Sequence, residues 1–175
     1  MNLSIADVAN ELEQRRALIR ARADHSAQII ERVSEEIGQQ IPQDLEAFYR
    51  ERIARVGDFL AISPIWSERV GWRPGMVETT LLLAAQAVPI FSDGCGSFYR
   101  VDLDTGDATP AVYFFDHQDD FGKPRWAAGS SLATFLLLLA DGDRAHREKW
   151  PSKWELAIDP ALDRCPRAPA IWNAS

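Results

Sequence analysis

Acidic side chains are concentrated in one stretch of this 175-residue sequence, and they are its clearest candidates for chemistry. Residues 92–120 hold seven aspartates and one arginine, Arg100, whereas the remaining residues hold 19 acids and 18 bases. A local negative field of this kind repels nucleic acid and accelerates the encounter with cationic partners. Aspartate is also frequent in turns for conformational reasons, which is the alternative explanation for each single residue. The seven are Asp93, Asp102, Asp104, Asp107, Asp116, Asp119 and Asp120.

His117 lies among these acids, in the sequence DHQDD. A divalent metal site needs three or more converging ligands with supporting hydrogen bonds, and neighbouring residues on one loop rarely converge in this way. A small metal-dependent hydrolase that uses the loop of residues 116–120 is therefore a secondary hypothesis. Cys95 lies in a glycine-rich turn without a histidine placed by the sequence to activate it, and no catalytic or nucleotide-binding motif occurs. We expect no catalytic residue, no cofactor and no metal ion.

The elements that position these residues are three predicted strands in succession. Residues 88–91 are apolar, residues 98–103 alternate between two faces with Tyr99 on the apolar one, and residues 111–115 return as an apolar and aromatic strand. Turns rich in glycine and aspartate separate the three. Because successive side chains of a strand point to opposite faces, this period of two predicts a half-buried antiparallel meander.

A helical pattern precedes the meander at the N-terminus. Ser4 and Asp7 form a capping pattern ahead of apolar residues, Ile19 among them, that recur near helical spacing as far as Gly38. The pattern predicts one long helix, or two helices broken near residues 24–26.

Further elements are predicted on both sides of the meander. Pro42 begins a helix that we expect to end near Arg55, because proline suits the first position of a helix. Ser131 is a good N-cap for an apolar helix that we expect to stop before Asp141. The remaining expectations are a short strand at residues 59–62, an irregular segment at 63–75, a helix at 77–87, a short strand at 126–128 and a short helix at 153–158.

The bulk properties of the chain narrow its class. No apolar stretch approaches the roughly 20 residues of a transmembrane helix, and the N-terminal residues carry acids early without the apolar region of a signal peptide. The two cysteines belong to no disulfide or metal-binding pattern. We therefore expect a cytoplasmic protein with reduced thiols.

Several short motifs follow one another in a recognisable order. A small residue and Ile-Pro open an aromatic helix within residues 37–49, and Val-Pro-Ile-Phe at 88–91 leads through a glycine turn to the aromatic strand at 98–103. The next strand ends in an Asp-His pair at the end of residues 111–117, and an apolar helix follows Ser131. In this order the sequence resembles the SUKH superfamily, the group that contains fungal cell-wall-synthesis regulators of the Smi/Knr type and many bacterial immunity proteins.

The resemblance implies an α+β fold with a mixed, mainly antiparallel sheet and helices packed on one side. To this fold the chain adds an N-terminal helical extension, the segment 63–87 and a C-terminal tail rich in proline and tryptophan. We expect a single domain over residues 1–175, with the extension at 1–38, the core at 39–141 and the tail at 142–175.

The resemblance also implies a non-enzymatic protein-binding module, because the family implies no catalysis. Its bacterial members resemble immunity proteins that bind and neutralise polymorphic toxins. A nuclease toxin presents cations to phosphate, which acidic residues of this chain complement. The alternative is a regulatory scaffold of the same fold that binds an endogenous partner. We expect a basic toxin domain as partner, no nucleic acid, no membrane, and a monomer or weak homo-oligomer. The expected protein-binding residues are Asp93, Tyr99, Asp102, Asp104, Asp116, His117, Asp119, Asp120 and Trp126.

Overall fold

The structure, a computed structural model, describes residues 3–61, 87–92, 95–103, 109–119 and 123–169. These residues form helices on one sheet, in the chain order α1, β1, α2, α3, β2 to β7, α4, α5 and a final 3-10 helix. The helices are α1 (Ile5–Gln14), α2 (Ser26–Ile37), α3 (Gln43–Arg50), α4 (Leu132–Arg147) and α5 (Glu155–Ile158), with the 3-10 helix at Leu162–Arg164. The strands are β1 (Leu18–Arg20), β2 (Ile53–Val56), β3 (Phe59–Ala61), β4 (Ala87–Ser92), β5 (Phe98–Asp102), β6 (Val112–Phe115) and β7 (Trp126–Gly129).

The sheet is a meander of seven strands in the order β1 to β7. Each strand pairs antiparallel with the next one along the chain. The predicted α+β class with an antiparallel sheet is thereby confirmed, as are the predicted strands that became β3 to β7. None of the described helices is both long and apolar enough to cross a membrane.

The main core lies between one face of the sheet and the longer helices. Phe48 of α3, Phe91 of β4 and Phe135 of α4 are fully buried, and the ring of Phe91 contacts the other two edge to face, with centroids 5.7 and 5.8 Å apart. Full burial of such a side chain stabilises the fold by roughly 1.5–3 kcal/mol. Gly129 lets α4 approach β7 closely, since a Cβ atom there would lie 2.6 Å from the Cβ atom of Phe135.

The opposite face of β5 to β7 is covered as well. All five residues of β5 are buried, so the expected half-buried alternation does not hold for this strand. Phe98, Tyr113 and Phe115 on this face belong to a second apolar cluster with Leu162 of the 3-10 helix, against which Trp154 packs. The sequence after α4 therefore forms part of the core.

Several helix boundaries agree with the sequence. The Ser4 side chain accepts a hydrogen bond from the Asp7 backbone N–H at 3.1 Å, and Ser131 caps α4 by accepting one from the Thr134 N–H at 3.2 Å. Gly38 ends α2 in the left-handed conformation, with φ of 68°, which glycine adopts without a steric penalty.

Three expected helix ends are wrong. The N-terminal pattern forms two helices, and α2 begins at Ser26 as the two-helix alternative expects. However, α1 already stops at Gln14, because Arg16 turns the chain with a φ of 58° and Ile19 then pairs with β2 as part of β1. The helix after Pro42 ends at Arg50, and the residues expected to continue it form β2. Helix α4 continues through Asp141, whose buried carboxylate forms an ion pair with Arg15 of the N-terminal segment.

The expected irregular segment at residues 63–75 lies outside the described residues. The same is true of the expected helix at 77–87, except that its last residue, Ala87, begins β4.

Asp159 connects the C-terminal segment to the start of α4. Its buried carboxylate accepts hydrogen bonds from Ser130 N–H (2.7 Å) and Ser130 Oγ (2.5 Å), from Thr134 Oγ1 (2.9 Å) and from Ala161 N–H (3.2 Å). Farther on, the Pro169 carbonyl accepts a hydrogen bond from Ala127 N–H at 2.7 Å, so the segment also covers part of the edge strand β7.

We expect Asp159→Ala to lower the free energy of unfolding by about 3 kcal/mol, because the change leaves several buried donors without an acceptor. Urea denaturation followed by circular dichroism measures the effect. Asp163→Ala, which removes an exposed carboxylate from the 3-10 helix, is the matched control and should change stability by less than about 0.5 kcal/mol. Equal effects of the two substitutions would contradict the role of Asp159.

The two thiols report whether the C-terminal segment is docked. Burial, and secondarily the charge of Asp159, raise the pKa of Cys165 to about 11, whereas Cys95 is exposed. Since the thiolate is the reactive form, about one Cys165 side chain in a thousand is reactive at pH 8. We expect Cys95 to react rapidly with a thiol reagent and Cys165 slowly, with Asp159→Ala accelerating the slow phase. A single fast phase for both thiols in the unmodified protein would refute this placement.

Candidate functional site

The functional candidates that remain exposed lie at one end of the β5–β6 hairpin. Phe98 at the start of β5 pairs with Phe115 at the end of β6. This register places Ser97, in the turn before β5, beside Asp116, in the loop after β6. The same loop leads to β7, so the turn and the loop form one continuous surface. We call it the loop-end surface, and it consists of Asp116, His117, Asp119, Arg125 and Trp126, with the buried Ser97 in contact with His117.

His117 is fixed by Ser97. The Ser97 hydroxyl lies 3.0 Å from the imidazole Nδ1 atom, and its oxygen accepts the His117 backbone N–H at 3.2 Å. Gly96 lies against the same ring: its φ is 104°, and a Cβ atom there would be 3.4 Å from the His117 Cβ atom. The His117 side chain is nevertheless 41% exposed, so it is both held in place and accessible.

Asp116 and Asp119 share a cation. The Arg125 guanidinium forms an ion pair with Asp116, and its Nε atom lies 3.5 Å from Asp119 Oδ2. The backbone N–H of Gln118 donates to Asp116 Oδ1 at 3.0 Å. This backbone hydrogen bond, followed by the Arg125 side chain, lowers the pKa of Asp116 below its usual 3.8. Asp116 therefore stays ionised well into the acidic range.

Trp126 adds an aromatic group beside these charges. It is half-buried at the start of β7, where it pairs with Phe114 of β6. The Arg125 guanidinium carbon lies 5.8 Å from the centre of a Trp126 ring, within the range of a cation–π interaction. The loop-end surface thus combines ionised carboxylates, an imidazole, a guanidinium and an indole.

Ser97, His117 and Asp116 do not have the geometry of a nucleophilic triad. Catalytic serine and aspartate occupy opposite nitrogens of the imidazole, so that the histidine can relay a proton. Here the serine hydroxyl and the Asp116 carboxylate, 3.5 Å away, both approach Nδ1. Ser97 is also 97% buried, which keeps it from a substrate. The arrangement fixes a side chain and offers no nucleophile.

The loop gives no support to the hydrolase hypothesis either. In the described ranges of the chain, no group of three or more histidine, cysteine, aspartate or glutamate side chains could hold a metal ion. Asp116 and Asp119 already contact the positive charge of Arg125, which would have to be displaced before a cation could bind between them.

Tyr99 is not part of this surface, and its expected role in partner binding has to be corrected. It is 97% buried, and its ring contacts Phe59, Phe114 and Phe135 with centroids 4.9 to 5.6 Å apart. Side chains alternate along β5, and Tyr99 points to the face that α4 covers. A partner cannot reach it in this fold.

Asp102 is the second correction. It is 97% buried at the far end of β5, where Arg100 Nε lies 2.9 Å from its Oδ1 and Arg167 of the C-terminal segment pairs with its Oδ2. Arg100 is itself buried, with its guanidinium carbon 3.8 Å from the centre of the Phe115 ring. Four residues of strand, or about 13 Å, separate Asp102 from the end of the hairpin at which Asp116 lies. Asp102 therefore stabilises the covered face.

Three of the seven aspartates of the predicted acidic cluster lie in the described residues, and Asp102 is the buried one among these three. Asp93, Asp104 and Asp120 lie outside the described residues, as does Asp107. Each of the three described aspartates of the cluster contacts an arginine, and three arginines take part in these contacts. Among the described residues, the three aspartates of the cluster are therefore matched by three arginines.

Three residues of these networks were missed at the level of sequence: Ser97, Arg125 and Arg167. Arg125 lies five residues beyond the acidic stretch and directly before the predicted strand at 126–128. This position is the signal in the sequence that could have indicated its contact with the acidic loop. Arg167 is separated from Asp102 by 65 residues, and no local pattern connects them.

Because its pKa is lowered, we can predict how Asp116 titrates in acid. Ionised Asp116 stabilises the loop at all pH values above its unfolded pKa, and this contribution is lost as the pH falls through the lower, folded pKa. We expect carbon-detected NMR to give a midpoint below 3.8 in the unmodified protein. In Arg125→Gln the midpoint should rise but stay below 3.8, because the Gln118 hydrogen bond remains. Lys123→Gln, which removes a neighbouring exposed charge, should have little effect, and an unperturbed midpoint would contradict the assigned contacts.

A comparison with known protein families finds a match for the middle part of the chain. Residues 25–137 match the SMI1 / KNR4 family (SUKH-1). The match begins at the start of α2 and ends within α4, so it contains β2 to β7 and the loop-end surface, whereas α1, β1, α5 and the 3-10 helix lie outside it. No curated protein matches the sequence significantly. Because the matched residues make up more than half of the chain, the protein belongs to the SMI1/KNR4 (SUKH-1) family, which includes immunity proteins, is generally non-catalytic and typically binds protein partners.

Proposed function

We propose that this protein is a cytoplasmic, non-enzymatic immunity protein that binds and neutralises a toxin. The observation that carries the proposal is the family match over residues 25–137, because the family includes immunity proteins and the matched stretch contains the loop-end surface. The geometry of Ser97, His117 and Asp116 supports the same conclusion, since it holds side chains in place without forming a nucleophile.

The loop-end surface suits a protein partner. His117, Asp119 and Arg125 expose 41 to 45% of their side chains, and their contacts already restrict them in the free protein. A surface ordered in advance loses less side-chain entropy on binding. Tryptophan and arginine are also the residue types most enriched among energetically dominant contacts, and Trp126 and Arg125 lie next to each other here.

A cationic toxin of the nuclease type is the partner that the charge distribution favours. The chain carries a net charge of −7, and the stretch at residues 92–120 accounts for most of it. Nuclease surfaces carry cations that contact phosphate, and an acidic inhibitor complements them. Because Arg125 partly neutralises Asp116 and Asp119, a partner cation has to compete with Arg125. We therefore infer that salt weakens the complex without abolishing it.

The second candidate function is a regulatory scaffold that binds endogenous partners with the same fold. The family match and the non-catalytic geometry of the loop-end surface support this function as well. The two functions differ in the partner, since an immunity protein has one tight cationic target and a scaffold has several weaker ones.

Capture of partners from lysate of the source cells, at low and at high salt, distinguishes the two functions. We expect one basic protein that is recovered best at low salt and that arrests growth when expressed alone. Co-expression of this protein should restore growth. A set of acidic or metabolic partners whose recovery is indifferent to salt would support the scaffold and contradict the proposal.

Substitutions then test the surface. Trp126→Ala should weaken binding of the captured partner at least tenfold, because a half-buried aromatic anchor is lost, and Asp119→Asn should weaken it a few-fold. Glu148→Gln removes an exposed carboxylate at the end of α4 and should leave binding unchanged. Calorimetric titration measures the affinities, and circular dichroism verifies that each variant is folded. Equal affinities for all three variants would exclude the loop-end surface as the binding site.

A further inference from the structure

A second polar site lies among β1 to β3, at the other end of the sheet order from the loop-end surface. A cleft of about 370 Å³, which includes its part open to solvent, is bounded by the start of α2, the end of α3 and the strands beside them. Ile29, Phe48 and Ile53 form apolar walls, and His25, Tyr49 and Arg52 contribute polar groups.

Tyr49 lines this cleft with a phenol whose residue is 95% buried. Burial raises the pKa of this phenol, so the hydroxyl stays protonated and can donate.

His25 and Arg52 line the same cleft. The Nε2 atom of His25 is buried and has no hydrogen-bond partner among the described residues. The half-buried Arg52 side chain forms no ion pair within the described ranges, although Asp24 is near enough to interact with it electrostatically. The Asp24 carboxylate instead accepts hydrogen bonds from Ser26, from the backbone N–H at 3.0 Å and from Oγ at 2.7 Å.

The backbone holds Arg52 at the edge of the cleft. Its N–H donates to the Tyr49 carbonyl at 3.0 Å, and its carbonyl accepts the Ala21 N–H at 2.7 Å. Its φ is 53°, a left-handed conformation that costs energy for a residue with a side chain. Such residues are found preferentially at functional sites, where the surrounding contacts enforce them.

We propose that this cleft binds a carboxylate group. A guanidinium donates two parallel hydrogen bonds to a carboxylate, and the Tyr49 hydroxyl and an Nε2-protonated His25 are additional donors. A single cation next to Asp24 suits a singly charged carboxylate better than a doubly charged phosphate. The apolar walls suit the methylene groups that precede a carboxylate, whether in a glutamate side chain or in a small organic acid.

Titration by NMR tests this proposal with three probes: sodium acetate, the blocked peptide acetyl-Gly-Glu-Gly-amide and its glutamine counterpart. We expect acetate and the glutamate peptide to cause saturable shifts of the Tyr49 ring, the Arg52 side chain and the His25 ring. The glutamine peptide should cause none. A glutamate peptide that binds at least tenfold more tightly than acetate identifies a protein segment as the source of the carboxylate, and equal affinities identify a small acid.

Variants locate the site. Arg52→Gln should weaken acetate binding at least tenfold, and Tyr49→Phe, which keeps the ring, should weaken it several-fold. Arg55→Gln removes an exposed arginine three residues away on β2 and is the matched control with unchanged affinity. Should Arg52→Gln unfold, Arg52→Lys keeps the charge, loses the two parallel hydrogen bonds and should still bind more weakly.

The proposal is overturned if acetate causes no saturable shift at these residues, which would mean that the cleft holds water alone. It is also overturned if Arg52→Gln and Arg55→Gln bind acetate equally, or if phosphate binds as tightly as acetate. None of these outcomes bears on the loop-end surface, because the two sites share no residue.

Discussion

The pairing of Phe98 with Phe115 is the constraint on which both faces of the central hairpin and its exposed end depend. Because side chains alternate along a strand, a slip of one residue would exchange the two faces. The observed register turns Tyr99 toward α4 and Arg100 toward the second apolar cluster. It also brings Ser97 beside His117 at the end of the hairpin. One set of backbone hydrogen bonds thus determines which polar residues are structural and which are accessible.

The C-terminal segment determines which parts of this family fold remain available to a partner. Asp159 holds it to the start of α4, Arg167 pairs with buried Asp102, and Pro169 contacts the edge strand β7. Together these contacts cover the face of β5 to β7 opposite the long helices. Breaking one partner of a buried ion pair is costly, so the segment is not easily displaced. The loops at the end of the hairpin consequently offer the more accessible surface for the proposed partner.

The sequence was informative where a pattern is local. The period of two in residues 98–103 and 111–115 predicted β5 and β6, and short capping patterns predicted the starts of α1 and α4. It failed where a distant contact decides the outcome. Arg15 pairs with Asp141 across 126 residues, and α4 continues through Asp141, where the sequence predicts that it stops. Strand β1 was missed because its three residues are too few to display a period. Likewise, Tyr99 and Trp126 are both aromatic residues on strands. Tyr99 is buried because α4 and Phe59 pack against it, whereas Trp126 is half-buried.

Hydrogen–deuterium exchange of the protein with and without its captured partner tests the central claim most directly. If the loop-end surface binds the partner, exchange should slow at residues 95–97 and at the described residues between 116 and 126. The buried residues 100–102 should be unaffected. Slower exchange confined to the cleft beside Arg52, or to the helices outside the family match, would show that the partner binds elsewhere and would contradict the account.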